Sequence, residues 1–371
     1  MRCSQPYRHT REALFVFGLL RRKPEALLGI DISSASVKLL ALNRDGGTFR
    51  VEAYGVEPLP QHAMVDRNIS DVGAVGEAIR RLVARARPAS RRAAVAVAGS
   101  SVITRSLELE AGLSDEQMEA QIASEADQYI PYPLEEVALD FQVRGPLERN
   151  AAWCEVLLAA CRRESVETRQ EALELADLNA TVVDIEPQVV ERMIGYLRPS
   201  LGVLPEHAVI AVVDIGATVT TLTVLAGDRP VHTREQVFGG RLLTEEIQRH
   251  YGMPPEAAEL AKLTPETLPH DYLPEVLEPF LDLAVQQVMR ALQFFFSSSR
   301  HDRVDLVLLA GGSAPLPGLA ERVEAALGTR TAVVNPFTGM TVAPHLDAAA
   351  LTRAAPGLLL ACGLSMRSTR A

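Results

Sequence analysis

The sequence predicts an α/β protein made of two duplicated domains, with a small α+β subdomain inserted into the first. Three observations carry that prediction. LLGIDISSASVKLLAL at 27–42 and VIAVVDIGATVTTLTVL at 209–225 share one plan: an apolar strand, an Asp, a tight turn of small residues and a second apolar strand. The succession of three strands followed by helices and strands returns after the second hairpin as after the first. Residues 106–180 interrupt the first copy with a run that has no counterpart in the second.

In chain order, hydrophobic patterning places strands at 27–32, 37–43 and 49–57, a helix at about 71–86 and a strand at 93–98. The inserted run reads as strand SLELE, a helix over 114–128, strands VALDFQV and CEVLLAAC, and a helix over 164–178. TVVDIEPQVVERMIGYL then resumes the first half as a strand running into a helix. The second half gives strands at 208–214, 218–226 and 230–238, a helix near 240–251 and a long helix near 275–299. Strand VDLVLLA (304–310), a helix over 316–327, the short strand TAVVN and a last helix at about 355–366 follow. Five prolines in 252–275 make that segment a smaller, looser insertion. The expected organisation is a first lobe of 27–105 and 181–207 with helix 355–366, the insertion 106–180, and a second lobe of 208–251 and 275–354 with a minor insertion at 252–274. Residues 1–26 form an N-terminal extension expected to be disordered.

Composition narrows the function. At 371 residues, with 47% hydrophobic and 23% charged residues, the chain has ordinary globular make-up. A net charge of −10 argues against duplex nucleic acid, whose binding is driven by basic residues displacing counterions. The one basic cluster, the arginines at 80, 81, 85, 87, 91 and 92, lies at a helix end and reads as a solvated helix C-terminus. Four scattered cysteines indicate neither disulfides nor structural zinc. The apolar run ALFVFGLL is far shorter than the roughly 20 residues a membrane span needs, and it lacks a cleavage site, so the expected compartment is the cytoplasm.

Asp31 and Asp214 close the first strand of each hairpin. Carboxylates beside phosphate are repelled unless a hard cation lies between, and Mg²⁺ is reached through one or two carboxylates while keeping several waters. A magnesium nucleotide held between the halves fits this pair. In DISSASVK the hydroxyls of Ser33, Ser34 and Ser36, with neighbouring N–H groups, can donate to phosphate oxygens while Lys38 supplies a cation; a serine-rich turn with a solvated lysine is the plain alternative. Gly216 permits close backbone approach and Thr218 offers a hydroxyl; an Asp214 that caps its own turn is the plain alternative. In LLAGGSAPLPGL the double glycine, Gly311 and Gly312, would let a flat ring lie against the backbone. Glu259 and Lys262 stand three apart on a helix, the spacing of a surface ion pair. Glu186, in the turn DIEP, either orients a water or simply occupies the favourable N-terminal end of a helix. The eight histidines are dispersed, so no nucleophile and base pair is legible.

With these residues in order, the chain resembles the actin-like ATPase superfamily, ribonuclease H-like in fold, and within it the PilM family of type IV pilus assembly proteins, relatives of the cell-division protein FtsA. LLGIDISSASVKLL is similar to the family's opening signature, implying Asp31, Ser33, Ser34 and Lys38 on a first phosphate loop. DIGAT implies Asp214, Gly216 and Thr218 on a second, and AGGSAPLPGL implies Gly311, Gly312 and Ser313 at the adenosine. AELAK, with Glu259 and Lys262, and QVMRALQFF also resemble the family pattern. IPYPLEEVALDFQV at 130–143, in the insertion, is the most family-specific match. The resemblance implies ATP and Mg²⁺ as cofactors, with Asp31 and Asp214 reaching the metal through water and Glu186 positioning the attacking water. It implies a groove beside the insertion that takes the cytoplasmic N-terminal tail of the inner-membrane protein PilN, contacts with other inner-membrane pilus proteins, and a ring or homo-oligomer. The implied role is pilus biogenesis and twitching motility from the cytoplasmic side, without nucleic acid or membrane insertion. Ala217 stands where actin has a second metal-facing acid, so at most a weak ATPase is expected, with ATP acting as a conformational ligand. An FtsA-like membrane tether and a small-molecule kinase of the same superfamily are the rival readings.

Overall fold

The computed structural model describes residues 26–369 apart from Gly46 and Asp127, so the N-terminal extension lies outside the described residues except for Ala26. Leu28–Ile32 (β1) is buried at every position and turns back as Ser36–Asp45 (β2), with Ile30 opposite Leu39 and Asp31 opposite Lys38. Thr48–Pro58 (β3) completes the meander. A two-residue turn joins Met64–Val65 (β4) to Asn68–Ile69 (β5). Helix Val72–Ala86 (α1) starts where Asp71 accepts a bond from the Ala74 N–H at 2.9 Å and lays Val75, Ile79 and Leu82 on the sheet. Its exposed arginines are partly neutralised, since Arg81 and Arg85 both bond Glu57. Arg92–Val97 (β6) then runs parallel to β1.

The insertion is a three-stranded antiparallel sheet covered by one helix. Val102–Glu110 (β7), helix Asp115–Ala126 (α2), Val137–Leu147 (β8) and Asn150–Arg162 (β9) pair in the order β7-β9-β8. Met118 and Ile122 of α2 close a separate core with Leu109, Val156 and Leu158. Helix Arg163–Glu174 (α3), expected within the insertion, packs instead on the first lobe: Ala172 and Leu173 join Ile79 and Leu82. Its apolar stripe faces α1, and Asn179–Ile185 (β10) follows it directly into the sheet beside β6. Helix Glu186–Leu197 (α4) ends the first half.

The second half repeats the hairpin. Val209–Ile215 (β11) pairs antiparallel with Thr220–Ala226 (β12), which pairs with Arg229–Gln236 (β13). Helices Arg241–Tyr251 (α5), Pro255–Leu263 (α6) and Glu278–Ser298 (α7) follow, the last preceded by a π-turn at Leu273–Leu277. Leu306–Ala310 (β14) runs parallel to β11, as β6 does to β1. Helix Leu319–Leu327 (α8) begins only after the two prolines, and Thr331–Val333 (β15) closes a sheet of order β13-β12-β11-β14-β15. Thr341–Val342 (β16) crosses to pair with β3, so the return to the first lobe comes before residue 355. Ala348–Ala354 (α9) and Leu359–Ser365 (α10) then finish the fold.

The six-stranded first sheet has the order β10-β6-β1-β2-β3-β16. Between the two sheets, α4, α9 and α10 fill one shared layer: Leu40 and Leu42 from β2, Ile210 and Val212 from β11, and Leu306 and Leu308 from β14 meet Met193, Leu351 and Leu359. The segment Ala348–Ser365 is apolar enough by length and composition to cross a membrane, but its apolar residues Leu351, Leu358, Leu359 and Cys362 lie in this layer.

Candidate functional site

On the first lobe, the β1–β2 register sets Lys38 opposite Asp31, and Lys38 Nζ donates to Asp31 Oδ2 at 3.0 Å. Asp31 is only 5% exposed. The lysine expected for phosphate thus neutralises the aspartate expected for metal. Burial disfavours the Lys38 ammonium, but the Asp31 and Asp214 carboxylates outweigh it and hold its pKa above the ordinary lysine value. The Ser33 hydroxyl is spent inside the turn, donating to Ser36 O at 2.9 Å, while Ser34 is half-buried at the turn's tip.

On the second lobe, Gly216 N–H bonds Val219 O at 3.1 Å to close the hairpin turn. Two neighbouring segments grip that turn. Gly240 N–H donates to Gly216 O at 2.9 Å, and Arg241 N–H donates to Ala217 O at 2.8 Å. From the other side, Ser313 N–H donates to Ile215 O at 3.1 Å and its hydroxyl approaches Gly216 O at 3.4 Å. Gly311 is required here: at φ +89° its Cβ would collide with Ile215 O and lie 2.5 Å from Asp214 Oδ1. Gly312 has open space where its Cβ would be, so the protein leaves that face free.

Glu259 and Lys262 are more than a surface pair. Lys262 Nζ is 2.8 Å from Glu259 Oε2, 3.0 Å from Thr244 Oγ1 and 3.4 Å from Gly240 O, which ties α6 to the start of α5. Thr244 Oγ1 also donates to Glu259 Oε2 at 2.6 Å. The sequence reading missed Gly239, Gly240 and Thr244, for which the double glycine opening a helix was the available signal.

Glu186 begins α4 with 8% exposure and forms a short ion pair with Arg67. Burial, with Asp31, Glu235 and Asp214 adding to it and Arg67 opposing, pushes its carboxyl up to about 7. Arg67 Nε also lies 3.8 Å from Glu235 Oε1 on β13, across the lobe boundary. Ser100, in the turn leading into the insertion, donates to Glu235 Oε2 at 2.8 Å. Beneath Arg67 the fully buried Arg169 donates to Arg67 O at 3.2 Å, Ala96 O at 2.9 Å and Ser165 O at 2.7 Å. Sequence reasoning did not find Arg67, Arg169 or Glu235, which belong to no motif.

Asp214 is the most telling carboxylate. Burial pushes its pKa up, the Lys38 charge opposes this, and nearby Asp31 adds to it, so both hairpins act within one field. Four carboxylates (Asp31, Asp214, Glu186 and Glu235) thus share two cations, Lys38 and Arg67, in a region that favours added positive charge. Among the described residues no group of three or more His, Cys, Asp or Glu could hold a metal alone. A cation here must take ligands from water or a bound anion, and that donor set fits Mg²⁺ with a nucleotide phosphate.

Two lobes of repeated topology, each with an Asp-bearing hairpin turn and the two close enough to share one field, define the actin-like ATPase fold. The chain belongs to the family of the type IV pilus assembly protein PilM, whose model matches residues 29–369. It is similar to the solved structure of a PilM–PilN type IV pilus biogenesis complex, at 28% identity and a TM-score of 0.76, covering 94% of this chain and 100% of that one. The ethanolamine utilization protein EutJ from Carboxydothermus hydrogenoformans, 18% identical with a TM-score of 0.55 over 93% of this chain and 90% of that one, shares the fold. The cell division protein FtsA of Escherichia coli K12 is 23% identical over 245 residues, 56% of each chain. The chain therefore spans about half the length of the curated relatives it matches.

Proposed function

We propose that the protein is an ATP- and Mg²⁺-binding scaffold of type IV pilus assembly that holds the cytoplasmic N-terminal tail of a PilN-type inner-membrane partner beside its inserted subdomain. The observation that carries this reading is the likeness, over 94% of the chain, to a protein solved as a PilM–PilN complex. A cavity of about 510 Å³ suits an extended peptide: Tyr132 and Val137 from the insertion face Ile69 and Thr168 from the first lobe.

In this reading Asp31 and Asp214 hold hydrated Mg²⁺, which supplies charge neutralisation between the lobes. Ser34, Gly216 and Thr218 face the phosphates together with Lys38, which Asp31 holds in place, while Ser33, with its N–H and hydroxyl both donating to Ser36 O, shapes the first loop. Gly311, Gly312 and Ser313 form the adenosine side, Glu259 and Lys262 add to the nucleotide site, and Glu186 positions a water. Ala217 leaves the second loop without a further acid, so hydrolysis is at most slow and the nucleotide serves as a conformational ligand. The protein works at the cytoplasmic face of the inner membrane through its partner, as one copy in a ring or homo-oligomer.

Calorimetry tests this with Mg²⁺-ATP and a synthetic PilN tail titrated into the protein and into its Asp31→Ala and Asp214→Ala variants. Both variants should lose ATP. ATP binding at parental strength would remove the site assignment, and a parent that ignores the tail would remove the partner.

A further inference from the structure

The turn between β4 and β5 lies outside every phosphate, metal and adenosine role given above, yet it delivers the second cation of the cleft. Asp66 and Arg67 both sit in the left-handed region, at φ 45° and 66°, where two-residue hairpins ordinarily carry Asn or Gly. Such backbone strain persists where the surroundings impose it, and here Arg169 imposes it by bonding Arg67 O from below. Arg169 is itself almost wholly buried and bonds carbonyl oxygens of three segments. One arginine is thus committed to placing another.

The placed guanidinium is held by one lobe and incompletely met by the other. It pairs with Glu186 on the first lobe, and it stops 3.8 Å short of Glu235 on the second. Glu235 Oε1 is buried and has no hydrogen-bond partner. The guanidinium also lies in the field of Asp31 and Asp214, one on each phosphate hairpin. A planar fork with five donors, between two acids and in the field of both hairpin aspartates, matches a phosphate better than a lone carboxylate.

We propose that Arg67 is a ligand for the terminal phosphate of a bound nucleoside triphosphate, held on Glu186 until that phosphate arrives. The proposal rests on the nucleotide reading of the cleft. Movement of Arg67 to the phosphate frees Glu186 to accept from a water. It also withdraws the cation from Glu235, whose other oxygen holds Ser100 at the root of the insertion. A diphosphate offers no terminal group at this position and leaves Arg67 on Glu186, so the two nucleotides differ in what reaches the peptide-binding subdomain.

The test measures Mg²⁺-ATP and Mg²⁺-ADP affinities of the full chain for the parent, for Arg67→Lys, and for Arg67→Gln combined with Glu186→Gln, which avoids stranding a buried carboxylate. The double variant should lose about tenfold in ATP affinity while ADP changes by less than about twofold. Arg67→Lys keeps the charge but not the fork and should lose about threefold for ATP alone. It reads the same effect if circular dichroism shows the double variant unfolded. A purely structural arginine would move both nucleotides together or neither, and either result overturns the proposal. A parent that binds neither nucleotide overturns the nucleotide reading itself, a result distinct from a parent that binds both while Arg67 is silent.

Discussion

Glu186 has the most consequential ionisation in the molecule. Burial raises its carboxyl from 4.5 to about 7, with Asp31, Glu235 and Asp214 reinforcing the shift and Arg67 resisting it. An acid whose folded pKa exceeds its unfolded one holds more protons when folded, so its stabilising contribution is full below about pH 4.5 and is lost as pH rises through about 7. The full loss is on the order of 3 kcal/mol. Glu186→Gln should flatten this slope, so urea melts at about pH 5 and 8 should show the variant gaining on the parent at the higher pH. Parallel curves would mean that the carboxyl is not desolvated as the fold implies. Gly311→Ala makes a second, steric prediction. Left-handed backbone and contact with Ile215 O and Asp214 Oδ1 together should cost about 2–4 kcal/mol, read as a fall in Tm. An unchanged Tm would show that the strand-to-helix turn can move aside.

The β4–β5 hairpin is too short to be stable alone, and its conformation is borrowed from α3 through Arg169. Arg169→Met keeps much of the side-chain bulk but removes three bonds donated to carbonyl oxygens, and should destabilise by about 2–4 kcal/mol. Amide exchange should quicken first at residues 63–70, where Ser70 N–H bonds Ala63 O. Uniform loss of protection across the first lobe would instead make Arg169 a general core residue. The sequence anticipated α3 as a helix because its apolar residues recur at helical spacing, but not that its stripe faces α1, since periodicity defines a face without naming what covers it.

Both lobes share the apolar layer around α4 and α10, whereas the insertion closes a core of its own. Its entry and exit are adjacent, with Val102 of β7 opposite Cys161 of β9. Replacing residues 103–160 with a short glycine-rich linker should therefore leave the lobes folded and Mg²⁺-ATP affinity within about threefold of the parent, with binding of the PilN tail abolished. Failure to fold would show that ties such as Arg229–Glu155 and Arg144–Glu191 are needed by the lobes as well. The Arg229–Glu155 pair, with its arginine exposed, ordinarily contributes little, which argues for tolerance; the half-buried Arg144–Glu191 pair is the one to watch.

Local pattern alone announced the duplicated hairpins, the order of strands and helices, Asp31 and Asp214 at matching turns, and the glycines before α8. Each is written within a few consecutive residues, by apolar alternation, turn composition and strand-end position. The folded chain added the pairing of Lys38 with Asp31, the grip of Gly240 and Ser313 on the second hairpin, and the cluster of Arg67, Arg169, Glu186 and Glu235. Arg67 and Glu186 are 119 residues apart, and Ser100 and Glu235 are 135 apart. No local periodicity encodes such a meeting; it arises when the lobes pack and charged side chains leave water together, so that each finds its partner in space.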